Sequence, residues 1–165
     1  NESTPWYVSG ILFLRHDSIN YRGGEHNIAD NFFNDYAIRP TARIVDILRS
    51  KKVFAPVIGL PFKAGTSIER YSFESNVDCM SLDWSVDLKW AITNINKDIA
   101  IQGNLDPASL IPFNSNYLEK SVLSILDLTK DRRFIFNVGH GLTPDCKIND
   151  VKEVINIVRN YGVKV

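Results

Sequence analysis

Short apolar runs alternate with amphipathic segments along most of the chain. Residues 53–60 (VFAPVIGL), 78–84 (DCMSLDW), 98–103 (DIAIQG) and 133–140 (RFIFNVGH) are short and rich in β-branched and aromatic residues. Their apolar character extends to both faces, as expected of parallel strands covered on both sides. Between them, apolar positions recur at helical spacing. Segment 66–75 carries Ile68, Tyr71 and Phe73, and segment 86–95 carries Leu88, Ala91, Ile92 and Ile95, with Ser85 as its expected cap. Segment 117–128 aligns Leu118, Val122, Ile125 and Leu126, and segment 151–160 aligns Val151, Val154, Ile155 and Val158. Asp150 and Glu153 have the spacing of a capping box, and Gly162 is a natural stop.

Upstream, residues 31–50 form another helical pattern, which Pro40 should kink or divide. Before it lie one further strand-like run, 10–14, and an irregular polar stretch, 15–27. The order predicts an α/β protein with a parallel sheet. No 20–50-residue repeat or low-complexity linker interrupts it.

Composition narrows the class. Of 165 residues, 44% are apolar and 23% charged, which predicts a globular domain. Nineteen basic residues balance nineteen acidic ones, so no bulk attraction to nucleic acid or an anionic membrane is expected. Arg39, Arg43, Arg49, Lys51 and Lys52 have the spacing of one helix's polar face and end. No apolar run approaches the ~18 residues needed to span a bilayer. Residues 6–14, preceded by Glu2, suit a strand better than a signal peptide. Cys79 and Cys146 lie far apart without C-x-x-C spacing, so neither a disulfide framework nor a zinc ribbon is expected. The sole methionine is Met80, and the chain is expected to be an internal or C-terminal piece of something longer.

The candidate chemistry follows the strands. After the first of the four runs come Pro61, Phe62, Lys63, Ala64 and Gly65; after the second, Asp83, Trp84 and Ser85. The third is followed by Gly103, Asn104, Leu105, Asp106 and Pro107, and the last ends in Gly139, His140 and Gly141. In a parallel sheet these ends share one edge, so the four segments should converge. His140, between two glycines, reads either as a turn histidine satisfied by a backbone carbonyl or as a site residue. Lys63 reads either as a carboxylate-facing cation or as a solvated loop residue. Asn104 or Asp106 is expected to cap a short helix opened by Pro107. Asp83 is expected to bond backbone or neighbouring loops, and Trp84 to pack.

The strings LDWS (82–85), QGNLDP (102–107) and FNVGHGL (136–142) resemble, in order and spacing, the C-terminal half of the uroporphyrinogen decarboxylase family. Lys63-Ala64-Gly65 and Arg39-Pro40-Thr41 fit the same pattern, which spans roughly residues 30–162. The resemblance implies α/β architecture as a partial (β/α)8 TIM-type barrel of about four to five parallel β/α units. Residues 31–165 would form the half-barrel, and 1–30 an atypical N-terminal segment with one strand. It further implies decarboxylation of the four acetate side chains of uroporphyrinogen III, in the cytoplasm, with no cofactor or metal, by an enzyme that is a homodimer in the family.

The same resemblance implies that His140 contacts substrate and serves catalysis, and that Ser18 and Lys63 bind substrate. Asp83, Asn104, Asp106, Gly139 and Gly141 then support the site. The chain lacks the family's R-Q-A-G-R stretch, whose arginines bind carboxylates, and its S-D-I segment, whose aspartate binds pyrrole N–H groups. Ser18 enters through His16-Asp17-Ser18; a competing alignment places Thr4-Pro5-Trp6 on an earlier Pro-Trp segment, with Ile11 where the family has a tyrosine. The partner implied is either the missing half-barrel or a second copy. Two other readings remain: a non-catalytic relative that binds a tetrapyrrole or pairs with another chain, and a corrinoid-dependent methyltransferase. The latter lacks its H-x-C metal pattern here.

Overall fold

The structure, a computed structural model, describes residues 12–17, 32–111 and 115–162. Five strands form one sheet: β1 (Leu12–Asp17), β2 (Val57–Phe62), β3 (Cys79–Ser81), β4 (Ala100–Leu105) and β5 (Phe134–Val138). They lie in sequence order, every neighbouring pair parallel. The helices between and after them are α1 (Arg39–Ser50), α2 (Ser67–Glu74), α3 (Leu88–Asn94), α4 (Ser115–Thr129) and α5 (Ile148–Asn160). The fold is therefore α/β, a partial (β/α)8-type barrel wall, as the sequence and the family resemblance led us to expect. β1 falls inside the 1–30 segment but runs from Leu12 to Asp17, later than the expected 10–14 and into the stretch read as irregular.

Register assigns the two faces of the sheet. Gly59, Met80, Ile101 and Phe134 form one row across β2 to β5. Met80, Ile101 and Phe134, with Val57 and Leu82, pack into a core that also holds Val45 of α1, Ile68 and Tyr71 of α2, and Leu88 and Ala91 of α3. Further along the same face, Leu105, Phe136 and Val138 pack with Leu118 and Val122 of α4 and Val154 of α5. The next row, Ser81, Gln102 and Ile135, turns the other way, and Gln102 Nε2 donates to Ser81 Oγ at 3.0 Å. Among the described residues the helices thus cover one face, and the opposite face carries the polar groups a barrel keeps inside.

Several local expectations shift for identifiable reasons. The 31–50 helix is divided as Pro40 requires. With no N–H at Pro40, and its ring set against the Tyr36 carbonyl, the turn before it widens to a π-turn, Asn34–Ile38. Arg39 N–H then reaches Asn34 O. The 53–60 strand begins at Val57, after Pro56, and continues through Pro61. Val57 O accepts from Asp78 N, so Val57, Gly59 and Pro61 face β3. The last β2–β3 pair is Gly59 with Met80, so the missing Pro61 N–H costs no ladder bond. Asp87, not Ser85, caps α3, accepting from Lys89 N and Trp90 N. The Asp150–Glu153 capping box does not form, because α5 starts three residues earlier, at Ile148 after Lys147, with Asp150 already inside its first turn. Phe73 of α2 and Ile155 of α5 point outward rather than into the core. Arg49 does more than decorate a polar face: it pairs with Asp78 at 2.7 Å and donates to Val53 O and Ala55 O.

Candidate active site

The segments after β2, β3, β4 and β5 meet at the C-terminal edge of the sheet, and hydrogen bonds fix how. Asp83, only 1% exposed, is the junction. Its Oδ2 accepts from Lys63 N at 2.8 Å, and its Oδ1 accepts from Ser85 N at 2.9 Å and from the Ser85 hydroxyl. A carboxylate holding three donors is committed to structure, and it ties the β2 loop to the β3 loop. Asn104 adds the β4 segment: its Nδ2 donates to Asp83 O at 3.0 Å and to Val86 O at 2.8 Å. Asp106, rather than Asn104, caps the short 3₁₀ turn Pro107–Leu110, accepting from Ala108 N.

The β5 segment joins through backbone contact. Gly139 N donates to Leu105 O at 2.7 Å. A Cβ at Gly139 would lie 2.8 Å from Trp84 Cα and closer still to Trp84 N, so only glycine fits between the two main chains. Gly103 has φ +135°, and a Cβ there would sit 2.8 Å from Leu82 O. These close approaches are what the glycines of the QGN and VGHG strings provide. Gly141 has open space around it.

His140 is brought to this edge and left exposed. Its ring centroid lies 5.2 Å from Phe62 and 5.2 Å from Trp84, edge-on to the indole at 87°. Phe62 and Trp84 are themselves 5.6 Å apart. Lys63, exposed and with φ +56°, places its Nζ 5.5 Å from the Phe62 centroid. The edge therefore presents an imidazole and an ammonium over an aromatic floor, a pairing suited to organic carboxylates. A cavity of about 220 Å³ opens beside the imidazole, lined by Trp84, Asp106, Pro107, Ala108, Ile111, His140, Gly141 and Thr143. Its wall is mostly apolar.

The structure brings together His140, Lys63, Asp83, Asn104, Asp106, Gly139 and Gly141. Ser18 lies outside the described residues. The Phe62–Trp84 pair was not singled out in the sequence as part of the site. The available signal was that each aromatic stands at or just beyond a strand's C-terminal end. Among the described residues no three His, Cys, Asp or Glu side chains cluster as a metal site, and no helix is long and apolar enough to cross a membrane. Elsewhere, burial and neighbouring Asp78 push the Cys79 thiol up to about 12. Burial likewise raises Tyr71, partly offset by its bond to Thr41.

The family model described as uroporphyrinogen decarboxylase (URO-D) matches residues 24–161. A uroporphyrinogen decarboxylase of Orientia tsutsugamushi (strain Boryong) is 38% identical over 129 residues, 78% of this chain and 37% of the relative. One from Wolbachia pipientis wMel is 36% identical over 134 residues, 81% of this chain and 39% of the relative. One from Novosphingobium aromaticivorans is 32% identical over 162 residues, 98% of this chain and 47% of the relative. The chain thus spans between a third and a half of the length of the curated relatives it matches.

Proposed function

The chain belongs to the uroporphyrinogen decarboxylase family, and from that premise we propose that it supplies the His140-bearing part of an enzyme that decarboxylates the acetate side chains of uroporphyrinogen III to give coproporphyrinogen III in heme biosynthesis. The observation that carries the proposal is the convergence of four loop segments on one sheet edge, with His140 and Lys63 both exposed there.

The chemistry needs little beyond acid, cations and an apolar bed. Protonation of a pyrrole carbon creates an electron sink. The electron pair of the bond to the carboxylate then moves toward the ring, releasing carbon dioxide and leaving an exocyclic methylene. A proton added to that carbon and a proton lost from the ring give the methyl group. Each round consumes one proton and releases one carbon dioxide. His140 binds a substrate carboxylate, and as the catalytic residue of this chain it stabilises charge while the bond breaks. Lys63 supplies a cation for the polycarboxylate, and Ser18 is assigned a substrate-contacting hydroxyl. Asp83, Asn104, Asp106, Gly139 and Gly141 hold these groups in place. The reaction is assigned no cofactor, and the compartment is the cytoplasm.

The remainder of the barrel carries the arginines and the aspartate that this chain lacks, whether linked to it or associating with it, and the completed unit forms the family's homodimer. The test is turnover of uroporphyrinogen with the 165-residue chain alone and after addition of the unmatched portion of a relative such as the Orientia decarboxylase. Each missing oxyanion-type donor is commonly worth ~10²–10³ in rate, so the chain alone should give little or no coproporphyrinogen and the completed barrel should restore it. Failure of the completed, folded barrel to turn over would favour a non-catalytic tetrapyrrole-binding relative instead. Full activity of the chain alone would overturn the assignment of roles to the missing groups.

A further inference from the structure

His140 has an unusual support for a site histidine. Among the described residues its hydrogen bonding amounts to a contact of Nδ1 with Gly141 O at 3.4 Å, from the next residue along the chain. It is flanked by two glycines, and a Cβ added at Gly141 would meet nothing within 4 Å, so no other part of the described structure packs against the chain on that side. A metal-ligating or base histidine is ordinarily oriented by a carboxylate or carbonyl on its second nitrogen. Here the partners are rings: Phe62 from the end of β2 and Trp84 from the β3 loop, each 5.2 Å away.

We propose that Trp84 is a positioning residue for His140: with Phe62 it fixes the imidazole plane, leaving Nε2 available for substrate. This rests on the role given to His140 above and adds the device that orients it. The edge-on geometry, 87° between the planes, is the favoured arrangement of two π systems and constrains a ring that hydrogen bonds do not. The indole is itself held. The Trp84 main chain is pressed against Gly139, and the preceding Asp83 is anchored to Lys63 N and to Ser85. The aromatic contact thus passes the rigidity of the Asp83 junction to an exposed side chain.

The test is proton–carbon NMR of the imidazole groups in the full chain, with His140 assigned by the signal lost in His140→Asn. Packed against two aromatic rings, the His140 ring protons should be displaced by ring currents from the position of free histidine. Trp84→Leu should move them toward the free position, Trp84→Phe should retain most of the shift, and Phe62→Leu should remove part of it. A His140 signal at the free-histidine position in the parent, or one unmoved by both leucine variants, overturns the proposal. Circular dichroism separates loss of positioning from loss of fold, and Phe62→Leu keeps the test decisive if Trp84→Leu does not fold. In the barrel completed as above, Trp84→Leu should lower kcat by up to about 100-fold, as expected of a misplaced group. It should have no further effect on His140→Ala. The NMR result stands whether or not the completed barrel turns over, so it fails or succeeds independently of the decarboxylase assignment.

Discussion

Gly139→Ala probes the closest contact in the site. The added Cβ would stand 2.8 Å from Trp84 Cα and 2.9 Å from Trp84 Cβ, and closer again to Trp84 N. Main-chain atoms cannot rotate out of the way as a side-chain tip can, so β5 and the Trp84 segment must separate. Separation stretches the Gly139 N to Leu105 O bond, 2.7 Å in the structure, and moves His140 off the indole. Overpacking of this kind costs about 1–3 kcal/mol. With a urea m-value of roughly 2 kcal/mol/M, the unfolding midpoint should fall by about 0.5–1.5 M. Gly141→Ala is the matched control: its new Cβ meets nothing within 4 Å. By restricting the unfolded chain, it should leave stability unchanged or raise it by up to about 1 kcal/mol. Urea titrations of both variants and the parent, followed by tryptophan fluorescence, decide the matter. A Gly139→Ala midpoint at or above that of Gly141→Ala would refute the close-approach argument.

Three further outcomes are expected. Asp83→Asn should destabilise by about 1–3 kcal/mol in chemical denaturation, because an amide N–H2 facing Lys63 N or Ser85 N replaces an acceptor with a donor; a midpoint within error of the parent would contradict the junction role. Cys79, buried with its pKa raised to about 12 from 9.0, favours the fold while protonated, so its contribution is full below about pH 9 and is lost as pH rises toward 12. Cys79→Ala should flatten the alkaline fall in stability, and in the folded parent at pH 8 a thiol reagent should modify half-buried Cys146 well before Cys79. The outer edges of β1 and β5, with Ile135, Ile148 and Ile155 exposed, should make the isolated chain self-associate in sedimentation velocity, whereas a dilute monomer with a sharp, reversible transition would contradict this.

The sheet was legible in the sequence because parallel strands leave a strong local trace. The runs around Met80, Ile101 and Phe134 are apolar at consecutive positions, and a surface helix or loop does not sustain that. Helix faces were legible for the same reason, down to Leu88, Ala91 and Ile95. Boundaries were less so. Ser85 and Asp87 are both cap-type residues, and sequence does not say that the Ser85 hydroxyl is taken by Asp83. The Asp150–Glu153 pair has capping spacing, yet the helix began earlier, which lets Cys146 join the core of α4 and α5. At the site, the strand-end glycines and His140 stood out because their motif is local. The three-ring contact did not, because Phe62, Trp84 and His140 come from three separate segments, the end of β2 and the loops after β3 and β5. Their meeting depends on the close approach at Gly139 and the bonds of Asp83, and no spacing along the chain encodes either.

The central claim is that this chain contributes His140 to decarboxylation of a tetrapyrrole. The most direct measurement is the initial rate of coproporphyrinogen formation by the barrel completed with the missing portion, comparing parent chain with His140→Ala at matched folding and saturating uroporphyrinogen. Loss of one preorganised group that stabilises developing charge is expected to lower kcat by about 10²–10³. Turnover by the completed barrel at an undiminished rate with His140→Ala would contradict the claim and return His140 to the role of a turn residue.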